Sequence, residues 1–195
     1  MKKRKSVKER KEEVFYVISQ IIAEKGLSEV STVEVAKRLG VSQPAIYKYF
    51  KNKDEMIIYY LKHLKDLLKE VIEKAEKGKT SEDKIRIILT EHFRLLERTK
   101  ILPRIVFSDV IYFGDPEKKL SLKDTVSFYK EGIKDIIIDG IKNGEIRKID
   151  PEFGVRVVIG TILSSTLFWM LDDMRYRIID EVDFLMENIK KTLFN

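Results

Sequence analysis

The stretch from Ser31 to Met56, STVEVAKRLGVSQPAIYKYFKNKDEM, concentrates the side chains best suited to chemistry. Gln43 offers a donor beside an acceptor, the combination that matches an adenine edge bidentately, and Ala45 is small enough to rest against a thymine methyl. Tyr47, Lys48, Tyr49, Lys51 and Lys53 carry hydroxyl and ammonium groups that suit phosphate oxygens. The chemistry implied is recognition of a nucleic-acid duplex, not bond making or breaking.

Such side chains read a duplex only if something holds them at one edge. Ser31 followed three residues later by Glu34 fits a capping box, and Val33, Ala36 and Leu39 are expected to form the inner face of a short helix. Gly40 allows the left-handed backbone of a tight turn. A second short helix starts near Ser42 to Pro44 and is expected to bury Ile46 and Phe50. Two short helices joined by a glycine turn make a helix-turn-helix, whose second helix presents its first turn to the major groove. Lys53 then falls at the start of the next helix, where backbone N–H groups also favour an anion.

Charge supports the same partner. The net charge of the 195 residues is +6. Residues 1–53 hold 13 Lys+Arg against 6 Asp+Glu, while the remaining 142 hold 25 against 26. The positive excess therefore sits in the first quarter of the chain, as expected of one module that touches a polyanion and another that does something else. The first eleven residues, MKKRKSVKERK, read as a basic arm (1–11) that can add contacts to phosphate or the minor groove. They lack the apolar core of a secretory signal, so cytoplasmic residence is the expectation.

The rest of the chain reads as helices. Gly (9) and Pro (4) are scarce, and no stretch alternates as a strand would. Apolar stripes run through Val14, Ile18, Ile21 and Ile22, through Ile57 to Val71, and through Ile85, Ile88, Leu89, His92, Phe93 and Leu96. Asp115-Pro116 and Asp150-Pro151 each pair a capping residue with proline at the first helical position. The first opens a helix carrying Tyr129, Ile133, Ile136 and Ile137; the second opens one that ends near Asp173. A last stripe holds Ile178, Val182, Leu185, Met186, Ile189 and Leu193. The uncharged run Val157–Leu171, at 15 residues, falls short of the roughly 20 that span a bilayer and is expected to be a buried or interface helix, with no membrane partner. The fold class is all-α.

The pattern Gly26, Thr32, Ala36, Gly40-Val41-Ser42, Ile46-Tyr47-Lys48-Tyr49-Phe50 and Lys53 to Glu55 resembles the TetR family of bacterial and archaeal transcriptional regulators. The resemblance implies an N-terminal three-helix helix-turn-helix DNA-binding domain (1–53) and a six-helix C-terminal domain (54–195) for effector binding and dimerisation. It implies a homodimer on a double-stranded DNA operator with inverted repeats, and a small apolar effector that releases the DNA. Carried onto this chain, the DNA-binding set is Thr32, Ser42, Gln43, Pro44, Ala45, Tyr47, Lys48, Tyr49, Lys51 and Lys53. The effector-lining set is Phe93, Phe107, Tyr112, Phe128, Tyr129 and Phe168, which suits a fatty acyl thioester or other lipophilic compound. The dimer-interface set is Gly160, Ser164, Leu167, Val182, Met186, Ile189 and Leu193. Gln43-Pro44-Ala45 departs from the Lys and Gly common in relatives, so no operator sequence carries over.

With no Cys, disulfides and thiol catalysis are excluded. His63 and His92 stand alone without metal-ligand spacing, and no nucleophile, phosphate-binding glycine loop or paired carboxylates appear. The expectation is a non-enzyme with no metal and no cofactor. The alternative is an architectural or cell-division DNA-binding protein of the same fold without a small-molecule switch.

Overall fold

In the computed structural model, residues 6–195 are described. Lys2, Lys3, Arg4 and Lys5 of the expected basic arm lie outside the described residues. The rest of that arm is not an arm. Ser6 caps a helix, accepting from the Glu9 N–H at 3.2 Å while Glu9 Oε2 accepts from the Ser6 N–H at 2.7 Å. This closed capping box starts α1 (Val7–Lys25) inside the charge run. Arg10 is paired with Glu13, and Lys11 Nζ lies 5.1 Å from the ring centres of both Phe50 and Tyr59.

After α1 come a 3₁₀ turn (Leu27–Glu29), α2 (Thr32–Leu39), α3 (Gln43–Tyr47), α4 (Lys53–Ala75) and α5 (Ser81–Thr99). The short α6 (Leu102–Val106) and α7 (Asp109–Tyr112) lead to α8 (Pro116–Lys142), α9 (Pro151–Leu171), a second 3₁₀ turn (Ile178–Glu181) and α10 (Val182–Leu193). Both Asp-Pro starts form as expected: Asp115 accepts from the Glu117 N–H at 2.9 Å, and Asp150 from the Glu152 N–H at 2.8 Å. The turn α7 has no apolar repeat to announce it and is made by Ser108, which accepts from the Val110 N–H. Among the described residues there is no strand, only an isolated antiparallel bridge between Ile146 and Phe194.

The chain forms two compact units. One takes in residues up to Leu64 together with Thr99–Lys123; the other takes in Lys65–Arg98 and Asp124–Asn195. The first therefore reaches past residue 53, because the early stripe of α4 is buried in it. Tyr60 stacks on Phe15 at 4.7 Å and shares a hydrogen bond with Ser19 at 3.2 Å, and burial pushes its phenol pKa up. Val14, Ile18, Ile21, Ile46, Phe50, Met56, Ile57 and Leu61 complete this core.

In the second unit, Ile85, Ile88, Leu89, Phe93 and Leu96 of α5, Ile133, Ile136 and Ile137 of α8, Val158, Ile162 and Trp169 of α9 and Met186, Ile189 and Leu193 of α10 are all buried. Trp169 satisfies its indole N–H on the Tyr176 carbonyl at 2.7 Å. Charged pairs rim this core, with Glu152 held to about pKa 2 by Lys130 and Lys134. The helix α9 is long and apolar enough to cross a membrane by length and composition alone. Its extra apolarity lies on a second, outward face that carries Leu163, Leu167, Phe168 and Leu171.

Candidate nucleic-acid interface

The first helix of the pair is anchored at both ends. Ser31 accepts from the Glu34 N–H at 3.1 Å. The other half of the expected capping box is absent from the hydrogen bonds of Glu34, whose carboxylate instead takes Arg38 at 2.9 Å and Lys25 at 3.5 Å. Arg38 also reaches Glu24 at 2.6 Å, tying α2 to the end of α1, and its hydrogen bonds hold both carboxyls below the usual range. The inner face differs from expectation by register. Thr32, Val35 and Ala36 are buried while Val33 is 58% exposed, because the i, i+3, i+4 stripe begins at Thr32.

Gly40 then turns the chain with φ 64° and ψ 35°, as its lack of a Cβ permits. The Val41 N–H closes the turn on the Ala36 carbonyl at 3.0 Å. In α3, Ile46 and the following Phe50 point into the core, which leaves Ser42, Pro44, Tyr47 and Lys48 exposed and Ala45 and Tyr49 half-buried. The Ser42 hydroxyl makes no cap bond. Gln43 Nε2 donates to Thr32 Oγ1 at 3.0 Å and to the Tyr47 hydroxyl at 3.4 Å. Three of the expected DNA-binding residues are thus joined directly.

The two lysines at the α3–α4 edge behave differently. Lys51 is exposed, and its N–H donates to Glu55 Oε2 at 2.5 Å. Lys53 is half-buried, and its ammonium donates to the Ser28 carbonyl in the first 3₁₀ turn at 2.7 Å. A phosphate at Lys53 would meet an ammonium already positioned, with two further donors to offer. Lys11, expected as part of the basic arm, instead sits on Phe50 and Tyr59 and secures the end of the helix-turn-helix against α4 by cation–π contact. Nothing in its own neighbourhood along the chain gives that away.

The remaining expected positions divide sharply. Phe93 and Tyr129 are buried, and the Tyr129 hydroxyl is 3.1 Å from Nδ1 of a buried His92. Burial alone pushes the His92 pKa down to about 4 and that of Tyr129 up. Phe128 is half-buried beneath Lys65, whose ammonium lies 5.4 Å from its ring centre. Phe107, Tyr112 and Phe168 are surface side chains rather than pocket walls, and Phe168, at 63% exposure, belongs with the outward face of α9. A groove of about 410 Å³ does run between α4 and α5, lined by Leu67, Val71, Lys74, Glu91, Arg94 and Arg98.

Of the dimer set, Gly160, Ser164 and Leu167 are exposed, and a Cβ on Gly160 would meet nothing within 4 Å. Val182, Met186, Ile189 and Leu193 are a correction. They are buried in the chain's own core, since the strongest apolar stripe of α10 packs inward first. The outward face of that helix carries Phe184 instead, at 67% exposure. Among the described residues no group of three His, Asp or Glu could hold a metal ion.

A short helix pair with a buried inner face and an outward rim of hydroxyl, amide and ammonium groups, followed by a larger helical body, defines a helix-turn-helix regulator. Residues 18–60 match the bacterial regulatory proteins of the tetR family, and residues 60–192 match the C-terminal region of YsiA-like proteins. The chain belongs to the TetR family. It is 26% identical over 178 residues to the fatty acid metabolism regulator protein of Bacillus subtilis, covering 90% of this chain and 91% of that protein. It is 22% identical to the nucleoid occlusion factor SlmA of Vibrio atlanticus, over 89% of this chain and 90% of that one. The fold is similar to FadR from Bacillus subtilis, solved in complex with stearoyl-CoA, with TM-score 0.80, 24% identity and coverage of 91% and 96%. It is also similar to the fatty acid degradation regulator FadR from Bacillus halodurans, with TM-score 0.83, 20% identity and 96% of both chains.

Proposed function

We propose that this chain is a cytoplasmic repressor that binds an inverted-repeat operator as a homodimer and leaves it when a long-chain acyl thioester binds. The observation that carries the DNA half is the rim of α3, where Gln43, Pro44, Ala45, Tyr47 and Lys48 surround a first turn pinned to Thr32. With Ser42, Tyr49, Lys51 and Lys53 they form the proposed DNA-binding set. Residues 1–53 then serve recognition and 54–195 serve dimerisation and effector binding. Two recognition helices about 34–36 Å apart would enter successive major grooves. The outward apolar faces of α9 and α10, with Leu167, Phe168 and Phe184, are the surfaces proposed to meet a second copy.

The effector half is supported by the likeness to a fatty acid metabolism regulator and to a fold solved with stearoyl-CoA. Effector binding shifts the DNA equilibrium only by its differential affinity for the two states. Phe93 and Tyr129 face the second unit's interior, so an acyl chain reaching them must open the core. The reading is of a binding protein, not an enzyme. The test is fluorescence anisotropy on a duplex selected by the protein from a random-sequence library. Added stearoyl-CoA is expected to release the duplex and, with DNA absent, to raise the melting temperature. If neither changes across acyl chain lengths, the effector half fails. The likeness to a nucleoid occlusion factor favours the second reading in that case, a DNA-bound protein without a small-molecule switch.

A further inference from the structure

Lys118 sits where local rules disfavour it. It lies in the first turn of α8, a position at which a helix favours negative charge, and its side chain is only 6% exposed. A buried ammonium persists when it is paired, and its partner is Asp54, with Nζ and Oδ1 2.8 Å apart. Asp54 is the second residue of α4, next to Lys53, and at 37% exposure it still reaches solvent. The turn before α8 closes over the same ammonium. Gly114 has φ 91°, and a Cβ there would lie 3.3 Å from Lys118 Nζ.

Four consecutive side chains fix the start of α4. Asn52 Oδ1 accepts from the Glu55 N–H at 2.8 Å, and Glu55 accepts from the Lys51 N–H. Lys53 reaches the Ser28 carbonyl, and Asp54 reaches Lys118. The first three ties stay within residues 28–55, whereas the fourth leads to Thr99–Lys123, which belongs to the same compact unit.

We infer that Lys118 is a positioning residue for DNA recognition: through Asp54 it sets where α4 begins, and with that the Lys51–Lys53 edge offered to phosphate. This rests on the DNA-binding reading above. The two partners are unequal. Without Lys118, the Asp54 carboxylate can be solvated. Without the charge on Asp54, a buried ammonium loses the carboxylate it is paired with among the described residues and must drag the turn around Gly114 toward water. Loss of either end displaces the edge, and loss of Asp54 does so more.

The test compares full-length wild type, K118M, D54N and the exchanged pair D54K/K118D on the library-selected duplex, with amide hydrogen exchange read over residues 49–59. K118M is expected to keep its helical circular dichroism, lose about tenfold in DNA affinity and exchange faster across the first turn of α4. D54N should lose more in both readouts. The exchanged pair, which places a carboxylate at the start of α8 and an ammonium at the more solvated site, should recover most of the loss. A purely structural pair would lower the melting temperature of K118M and leave DNA affinity and exchange at 25 °C unchanged, and that result overturns the inference. So does an exchanged pair no better than K118M. A wild-type chain that selects no duplex overturns the DNA reading and the positioning role with it.

Discussion

The side-chain amide of Gln43, the first residue of α3, donates to the hydroxyl of Thr32, the first residue of α2, at 3.0 Å. The group proposed to read a base is therefore oriented in the free chain, where its second N–H rests on the Tyr47 hydroxyl at 3.4 Å, a bond that a base acceptor would replace. Holding it in place lowers the ordering cost on binding. Gln43→Ala is expected to relax base preference by about 1–3 kcal/mol at one position of the half-site. Thr32→Val keeps the shape but removes the acceptor and should cost less, about 0.5–1.5 kcal/mol. Competition among duplexes with single base changes measures both. Equal affinity of Gln43→Ala and wild type for every competitor would sink the assignment.

The Lys53 ammonium donates to the Ser28 carbonyl in the free chain, and the proposed DNA complex would add a phosphate to it. Lys53→Ala should weaken binding to all sequences alike and reduce the slope of log affinity against log salt by about one. A titration at four salt concentrations decides it. An unchanged slope assigns Lys53 to the Ser28 tether alone.

His92 is neutral in the folded chain, its pKa pushed down to about 4 by burial, against about 6.5 when unfolded. The unfolded state therefore binds more protons between those values. Stability is fully present above about pH 6.5 and falls as pH drops toward 4, by on the order of 3 kcal/mol from this one group. Urea midpoints of wild type and His92→Gln, which keeps an acceptor for Tyr129 without titrating, should converge as pH falls from 7 to 4.5. Parallel profiles would mean that His92 is hydrated in the folded chain.

The inward face of α10 and the outward faces of α9 and α10 should respond in opposite ways. Met186→Ala is expected to cost about 2–5 kcal/mol in unfolding free energy, as for a core truncation. Phe184→Glu and Phe168→Glu should leave monomer folding intact and weaken self-association. Sedimentation velocity across a dilution series separates the two outcomes.

Legibility in the sequence followed how local each cause is. Gly40 and the Asp-Pro pairs act within four residues, so the turn and the starts of α8 and α9 could be read directly. Periodicity found the stripes of α5 and α10 but not which partner covers them. Met186 looks the same in sequence whether its own chain or a second copy buries it. Val33 and Val35 are separated only by the register set at Thr32, which short α2 does not repeat often enough to reveal. Ser6 and Glu9 carried a readable capping signal, masked by the surrounding charges. Lys118–Asp54 and Lys11–Phe50 span 64 and 39 residues, and nothing near either member points to the other.

The bridge between Ile146 and Phe194 has a practical side. Arg147 donates its N–H to the Leu193 carbonyl at 2.8 Å, and the Asn195 side chain donates to the Gly144 carbonyl at 2.8 Å. A fluorophore or affinity tag that displaces the Asn195 side chain would remove its hydrogen bond to the α8–α9 turn. Handles for the experiments above are better placed on exposed side chains such as Lys77 or Lys79, beyond the last turn of α4.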